Sequence, residues 1–329
     1  MNRLILIAGL ALTLSGCPQT DPVAASTPSP EQASPPAIAL SDNPTLGDTI
    51  RVLAEDIGER HLARYEELEK ARVYISDRLK RAGYRVESQT FRDKIVKKDA
   101  YNLIASKPGN DEIVVIGAHY DSATLTPGAN DNASGVAVLL QLADRLAKTE
   151  TERTVRFAFF VNEEPPFFMT SDMGSTVYAK QCAQKKENIV GMLSLETLGY
   201  YSDEPASQHF PPGITGYPNT GNFLAFIAEP NSEELLRECL DNFQGLPVES
   251  LVAPAQTEGV SWSDHASFWR YGYQAVMVTD TAPFRYPHYH KPSDTPDKIN
   301  EKSLERAAEG LESVVRALAR EKKPQPNRE

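Results

Sequence analysis

The chain has 329 residues, 24% of them charged, and a formal net charge of -11 at pH 7. This length suits one large α/β enzyme domain with flanking segments. Lysine and arginine are not concentrated in any stretch, and binding of nucleic-acid phosphates requires such clusters. The charge distribution therefore argues against a nucleic-acid partner.

The N-terminal residues predict an exported lipoprotein. Residues 1–16 combine a positive start with an apolar run too short to span a membrane, as a signal peptide does. Small residues precede Cys17, which predicts cleavage there and a membrane contact through a lipid on that cysteine. An ordinary signal peptide with an incidental cysteine is the alternative. Because Pro18 rather than aspartate follows, we expect the periplasmic side of the outer membrane in a two-membrane cell.

Composition divides the remaining chain into three parts. Residues 17–45 are rich in proline, alanine and serine and predict an extended tether that begins at the lipidated cysteine. Residues 46–323 are predicted to form one catalytic domain, and residues 324–329 a short tail.

Periodicity predicts an α/β fold for this domain, with a mixed, mostly parallel central sheet flanked by helices. The first two helices are expected at residues 50–57 and 68–79, the second ending at Gly83. Later helices are expected at residues 136–146 and 303–319. The predicted strands cover residues 84–91, 101–105, 113–116, 154–161, 189–195 and 275–279.

Residues able to bind a metal follow four of these strands, and open α/β sheets place their ligand crevice at such strand ends. They are His119, Asp121, Asp131, Glu163, Glu164, Glu196 and His290. Taken alone, Asp131 could be a helix N-cap, and Glu163 with Glu164 a solvated turn. Together, several carboxylates in one pocket would repel one another unless cations neutralised them. The set therefore indicates a divalent metal site.

Four motifs in this order make the pattern specific. They are Gly-Ala-His-Tyr-Asp-Ser at 117–122, Gly-Ala-Asn-Asp-Asn-Ala-Ser-Gly at 128–135, Asn-Glu-Glu at 162–164 and Tyr-His-Lys-Pro-Ser-Asp-Thr at 289–295. The chain from Leu46 onward resembles the co-catalytic zinc aminopeptidase family, that is, the bacterial leucyl aminopeptidase-like metallopeptidases. Glutamate carboxypeptidase and glutaminyl-peptide cyclotransferase are relatives of that family.

The resemblance implies a role for each residue. The metal ligands would be His119, Asp131, Glu164, Glu196 and His290. Asp131 would bridge two zinc ions, and a cis peptide bond would follow it. Glu163 would be the general base and Tyr289 a donor to the developing oxyanion, with a packed aromatic side chain as the alternative for Tyr289. Asp121 lies two residues beyond His119 on an extended segment and would hold its ring.

One position departs from the family pattern. Glu196 stands where the family usually has aspartate, so either the longer side chain reaches the metal from a retracted backbone or that metal site is altered.

The resemblance implies a zinc-dependent exopeptidase, with an aminopeptidase as the first choice. Such an enzyme removes N-terminal residues from peptides through a metal-activated water. A glutaminyl-peptide cyclotransferase would instead use a single zinc held by Asp131, Glu164 and His290. A non-catalytic binding lipoprotein on the same fold is the third alternative.

Several assignments stay open at this point. The loop at 199–221 either covers the active site or is a surface excursion. Cys182 and Cys239 either pair or are buried thiols. Only the resemblance favours His290 over His288 as a ligand, and His265 is expected to be a helix-start residue rather than a ligand. Five residues could line an apolar substrate pocket or belong to the core: Phe167, Phe168, Met173, Phe268 and Trp269.

Overall fold

A computed structural model describes residue 38 and residues 40–320 of the chain. The predicted signal peptide, the lipidation site at Cys17, most of the tether and the C-terminal tail lie outside the described residues. No helix in the described part is long and apolar enough to cross a membrane.

One sheet organises the described domain. Its strands are β1 Val86–Arg92, β2 Asp99–Lys107, β3 Glu112–His119, β4 Thr154–Phe160, β5 Asn188–Glu196, β6 Leu224–Ala228, β7 Val248–Val252 and β8 Ala275–Thr279. Their order across the sheet is β1-β2-β4-β3-β5-β8-β6-β7. The pairings β3 with β4, β3 with β5, β5 with β8 and β6 with β7 are parallel. The other three are antiparallel. The predicted mixed, mostly parallel sheet is therefore confirmed.

Helices cover both faces of the sheet. They are α1 Leu46–Arg51, α2 Tyr65–Arg81, α3 Gly135–Leu146, α4 Gly174–Lys185, α5 Glu233–Asn242, α6 His265–Arg270, α7 Ala282–Arg285 and α8 Glu301–Leu318. The side chains of α1, α2, α3, α5 and α8 pack in the core on one face, and those of α4 and α6 pack in the core on the other. The sheet is thus enclosed between two helical layers, as the predicted fold class requires.

The predicted elements all form, with small changes at their ends. The helix predicted from residue 50 begins at Leu46, where Thr45 caps it, and continues as a wider helical turn through Ile57. Gly83 ends α2 with φ +97, in the left-handed region that glycine adopts without a steric cost. Strands β6 and β7 and helices α4, α5 and α7 were not predicted, and only the start of α6 at His265 was.

The two cysteines lie on opposite faces of the sheet. Cys182 on α4 and Cys239 on α5 are both buried free thiols. Burial raises the pKa of the Cys182 thiol to about 12. The disulfide alternative is therefore wrong for this structure.

Candidate metal centre

The carboxyl ends of three neighbouring strands carry the predicted ligands to one edge of the sheet. His119 is the last residue of β3 and Glu196 is the last residue of β5, while Glu163 follows β4 by three residues. Strand β3 lies between β4 and β5, and all three run parallel. Side chains that are distant in sequence therefore emerge next to one another.

Two histidines approach the Asp131 carboxylate from different sides. His119 Nε2 lies 3.2 Å from Asp131 Oδ1 and 3.3 Å from Glu196 Oε2. His290 Nε2 lies 3.1 Å from Asp131 Oδ2 and 3.3 Å from Glu164 Oε2. The possible ligand atoms form three groups, each with atoms within 4.8 Å of one another. One of them, His119–Glu163–Glu164, does not include Asp131. The other two, His119–Asp131–Glu196 and Asp131–Glu164–His290, are the ligand groups that share Asp131, which offers one oxygen to each.

The donor set fits a divalent metal. Three of its buried atoms have no hydrogen-bond partner among the described residues: His119 Nε2, Asp131 Oδ1 and Glu164 Oε1. A buried polar atom without a partner is costly, and these three belong to residues of the two ligand groups that share Asp131. Imidazole nitrogen and carboxylate oxygen are the ligands that zinc takes in catalytic sites. A cation in each group would give His119 Nε2 and Asp131 Oδ1 a partner.

Glu196 reaches the cluster despite its departure from the family pattern. Its Oε2 lies within hydrogen-bonding distance of His119 Nε2 and accepts a hydrogen bond of 2.7 Å from Ser263 Oγ. The longer side chain is therefore held beside the ring by a serine from the segment before α6. Ser263 was not predicted as a site residue.

Asp121 has a wider role than predicted. Its carboxylate lies 3.6 Å from His119 Nδ1, while its main-chain oxygen lies closer, at 3.2 Å. The two carboxylate oxygens instead accept the backbone N–H groups of Glu163 and Glu164, each at 3.2 Å. Asp121 thus connects the end of β3 to the turn after β4 and fixes the backbone that carries both glutamates.

Asp131 lies in an irregular helical turn, 129–134, where its own φ/ψ and those of Asn132 are not helical. The peptide bond between these two residues is cis, as predicted. The Asp294 carboxylate accepts the N–H groups of Asn130 and Asp131 at 2.8 and 3.1 Å. The Asn132 side chain donates to the Leu195 carbonyl at 2.8 Å. The shape of this turn is therefore set by contacts with distant parts of the chain.

The buried carboxylates differ in their proton affinity. Burial and the nearby Asp131 raise the pKa of Glu164 to about 7, although His290 opposes the shift. Burial also raises the pKa of Glu163 well above its usual range, and the Glu196 and Glu164 charges add to it. Asp131 is the exception, because hydrogen bonds from His119 and His290 outweigh burial and lower its pKa. A bound cation would allow the raised carboxylates to ionise.

Glu163 lies beside the ligand groups. Its Oε2 is 3.9 Å from His119 Nε2, farther than the oxygens of Asp131 or Glu196. It is 6% exposed and therefore buried. A second buried carboxylate, Asp264, affects its pKa. Burial raises the pKa of Asp264 to about 7, and no role was predicted for this residue.

The remaining aromatic and histidine predictions are placed as follows. Tyr289 stacks on His290, with ring centroids 3.9 Å apart. His288 Nδ1 lies 2.8 Å from Ser293 Oγ and outside both ligand groups. His265 begins α6, and its Nε2 lies 2.8 Å from the Val260 carbonyl, so it is not a ligand, as expected.

An open cavity adjoins the centre, and Glu196 and Tyr289 line it. The 199–221 loop supplies part of its wall, which favours the first of the two interpretations of that loop. The aromatic lining residues are Phe210, Tyr217, Phe223, Trp262, Phe284 and Tyr289. The five residues considered from sequence are not among the lining residues. Phe167, Met173, Phe268 and Trp269 are buried in the fold and Phe168 is half-buried, so their core interpretation holds.

The fold and the paired histidine and carboxylate groups define a metal-dependent hydrolase. Residues 102–315 match peptidase family M28. The chain is 35% identical over 285 residues to the protein YfbL of Escherichia coli, covering 82% of this chain and 86% of YfbL. It is 30% identical to aminopeptidase YwaD of Bacillus subtilis over 68% of this chain, but spans only 46% of YwaD. The chain therefore belongs to the M28 metallopeptidases, and the predicted resemblance is confirmed.

A solved structure supports the same fold. The zinc aminopeptidase BSAP of Bacillus subtilis superposes with a TM-score of 0.65 at 18% identity, covering 82% of this chain and 93% of that one. At this identity the likeness concerns the fold alone.

Proposed function

We propose that this metallopeptidase is a zinc aminopeptidase with two metal sites that share Asp131. The observation that carries the proposal is the position of the two histidines, each about 3 Å from a different oxygen of one carboxylate. His119 and Glu196 would complete one site, and Glu164 and His290 the other. The similarity to aminopeptidase YwaD and to the zinc aminopeptidase BSAP supports this activity and metal.

The proposed chemistry depends on what the chain does around the metals. Bound zinc supplies a Lewis acid that polarises the scissile carbonyl and acidifies the attacking water. Glu163 lies beside ligand Glu164 and 3.9 Å from His119 Nε2, and as the family resemblance implies it would take the proton from that water. Glu163 would then give that proton to the leaving amine. The Tyr289 hydroxyl, next to ligand His290, would donate to the oxygen that becomes negative.

The cavity beside Glu196 and Tyr289 gives the proposal a place for the substrate. Its walls are largely apolar, and it opens next to the Glu196–His119 group. A peptide whose free amine lies at the metals would place its first side chain in this cavity. That arrangement suits removal of one N-terminal residue at a time.

Replacing Glu163 with Gln tests the assigned base. Glu163→Gln should retain bound zinc and the fold but reduce kcat on aminoacyl anilides by at least about 100-fold, because an amide cannot accept or relay the proton. Glu229→Gln removes the same charge after β6, at the other edge of the sheet, and should leave kcat unchanged. A Glu163→Gln enzyme with near-normal kcat would refute the assignment.

The cyclotransferase alternative makes a different substrate prediction. It would release no amino acid from peptides and would instead cyclise an N-terminal glutamine, so one product analysis separates the two activities.

We also propose that the enzyme is exported and anchored by a lipid on Cys17. The support is the sequence before Cys17 and the tether after it. Labelling with a fatty-acid analogue should occur in the natural chain and be lost in Cys17→Ala. Labelling that persists in the variant would contradict the anchor.

A further inference from the structure

The cavity beside the metal centre extends across the sheet rather than into it. Register places Glu196 of β5 opposite Thr279 of β8, Thr279 opposite Ala225 of β6, and Ala225 opposite Glu249 of β7. Residues paired in register project from the same face of a sheet, and these four all line the cavity. They form a row on the floor of the cavity, with a carboxylate at each end.

The row has a definite length. Neighbouring strands lie about 4.8 Å apart, so the three steps from β5 to β7 separate Glu196 from Glu249 by about 14 Å. This is the separation of the two Cα atoms, and both carboxylates project from the same face of the sheet. A substrate side chain that leaves the metals along the row must therefore be long to approach Glu249, as an extended arginine or lysine is.

The cavity between the two ends is apolar. Ala225 of the row, with Ile227 and Met277 from the same face of the sheet, lies between the carboxylates, and Phe210 and Tyr217 of the 199–221 loop form part of the wall. The methylene stems of arginine and lysine bury well against such surface while their charged ends seek a polar partner. A short aliphatic side chain would fill the near part and leave the far end to water.

Glu249 has no cationic partner in residues 40–320, where no salt bridge includes it. It is partly buried, and its charge acts on Tyr217, whose hydroxyl donates to the Ser250 carbonyl at 2.9 Å. A second carboxylate, Glu258, lines the cavity from an exposed position. The far end of the cavity is therefore negative and is not neutralised by the described part of the chain.

We infer that Glu249 is a specificity-determining residue that makes this enzyme favour N-terminal arginine and lysine over neutral residues of the same length. The inference rests on the proposed aminopeptidase function. It adds the substrate class, a long apolar stem that ends in a cation.

Citrulline provides the matched substrate, because it has nearly the shape of arginine without the charge. We expect the zinc-loaded enzyme to favour arginine anilide over citrulline anilide about fivefold in kcat/KM, the size of a partly exposed ion pair. Glu249→Gln should bring this ratio close to one while leucine anilide is cleaved as before. Glu229→Gln should keep the natural ratio. Added salt should reduce the preference, because the pair is partly exposed to water.

The outcomes separate the two proposals. If leucine anilide is turned over, the aminopeptidase function stands. The specificity inference would still be overturned if the arginine-to-citrulline ratio of kcat/KM is near one, or if Glu249→Gln leaves that ratio unchanged. Failure of the zinc-loaded enzyme to cleave any aminoacyl anilide would overturn both.

Discussion

Replacing Arg60 with Met should lower the free energy of unfolding by about 2 to 6 kcal/mol, because its guanidinium ties together the backbone under the metal centre. Arg60 is 0% exposed. It donates to the carbonyls of Tyr120 at 2.8 Å, Pro127 at 2.5 Å and Gly128 at 2.9 Å, and to two carbonyls in the segment after α1. These bonds hold both ends of the segment that carries Asp121 and leads to Asp131.

The size of the expected loss in the free energy of unfolding depends on the carbonyls that lose their hydrogen-bond donor. The Gly128 carbonyl also accepts from Ala133 N, so it keeps one bond in the variant. The Tyr120 and Pro127 carbonyls depend on Arg60, and an unsatisfied buried group costs about 1 to 3 kcal/mol. Such a loss exceeds that of most single substitutions.

Urea unfolding of the metal-free protein measures this loss of stability directly, provided that the slope of the free energy of unfolding against urea concentration is the same in both proteins. Arg237→Met is the matched control. Arg237 is exposed and pairs only with Glu233 in the next turn of α5, so its loss should change stability by less than about 0.5 kcal/mol. A loss of less than about 1 kcal/mol in the free energy of unfolding of Arg60→Met would refute the reasoning. Arg60→Lys should fall between the two, since lysine keeps the charge but not the planar set of donors.

Two further predictions concern Asp121 and His265. Asp121→Asn should weaken zinc binding about 10- to 100-fold in a chelator competition. The reason is that only one side-chain oxygen remains to accept the N–H groups of Glu163 and Glu164. Unchanged zinc affinity would contradict the role of Asp121 in fixing this backbone. Burial lowers the pKa of His265 from 6.5 to about 4, so the unfolded chain binds the extra proton between these values. The contribution of His265 to the free energy of unfolding should therefore be full above pH 6.5 and be lost as the pH falls toward 4. This loss amounts to about 3 kcal/mol and should be absent in His265→Gln. An equal loss of stability in both proteins would contradict the assignment.

Strand ends were the part of the centre that sequence could predict. His119 and Glu196 each end a continuous apolar run, and parallel strands bring such ends together whatever the intervening chain does. The turn at 129–134 is different. Its shape depends on Asp294, Asn132 and the end of β5, contacts that no local pattern encodes, so only the family resemblance predicted the cis bond after Asp131.

The substrate cavity was the part that sequence could not predict. Phe167 and Phe268 have the same apolar spacing whether they face a cavity or the core, and they face the core. The true wall combines Phe210, Phe223 and Phe284 from distant segments. Strands β6 and β7, on which part of the floor lies, were not predicted. Arg60 belongs to no motif, and only its burial reveals its role.

Zinc content by elemental analysis, compared between the natural chain and His119→Ala, tests the two-site proposal most directly. We expect near two zinc ions per chain in the natural protein and near one in the variant, because Asp131, Glu164 and His290 form a group that does not include His119. A natural protein that holds one zinc per chain, with no change in His119→Ala, would contradict the proposal.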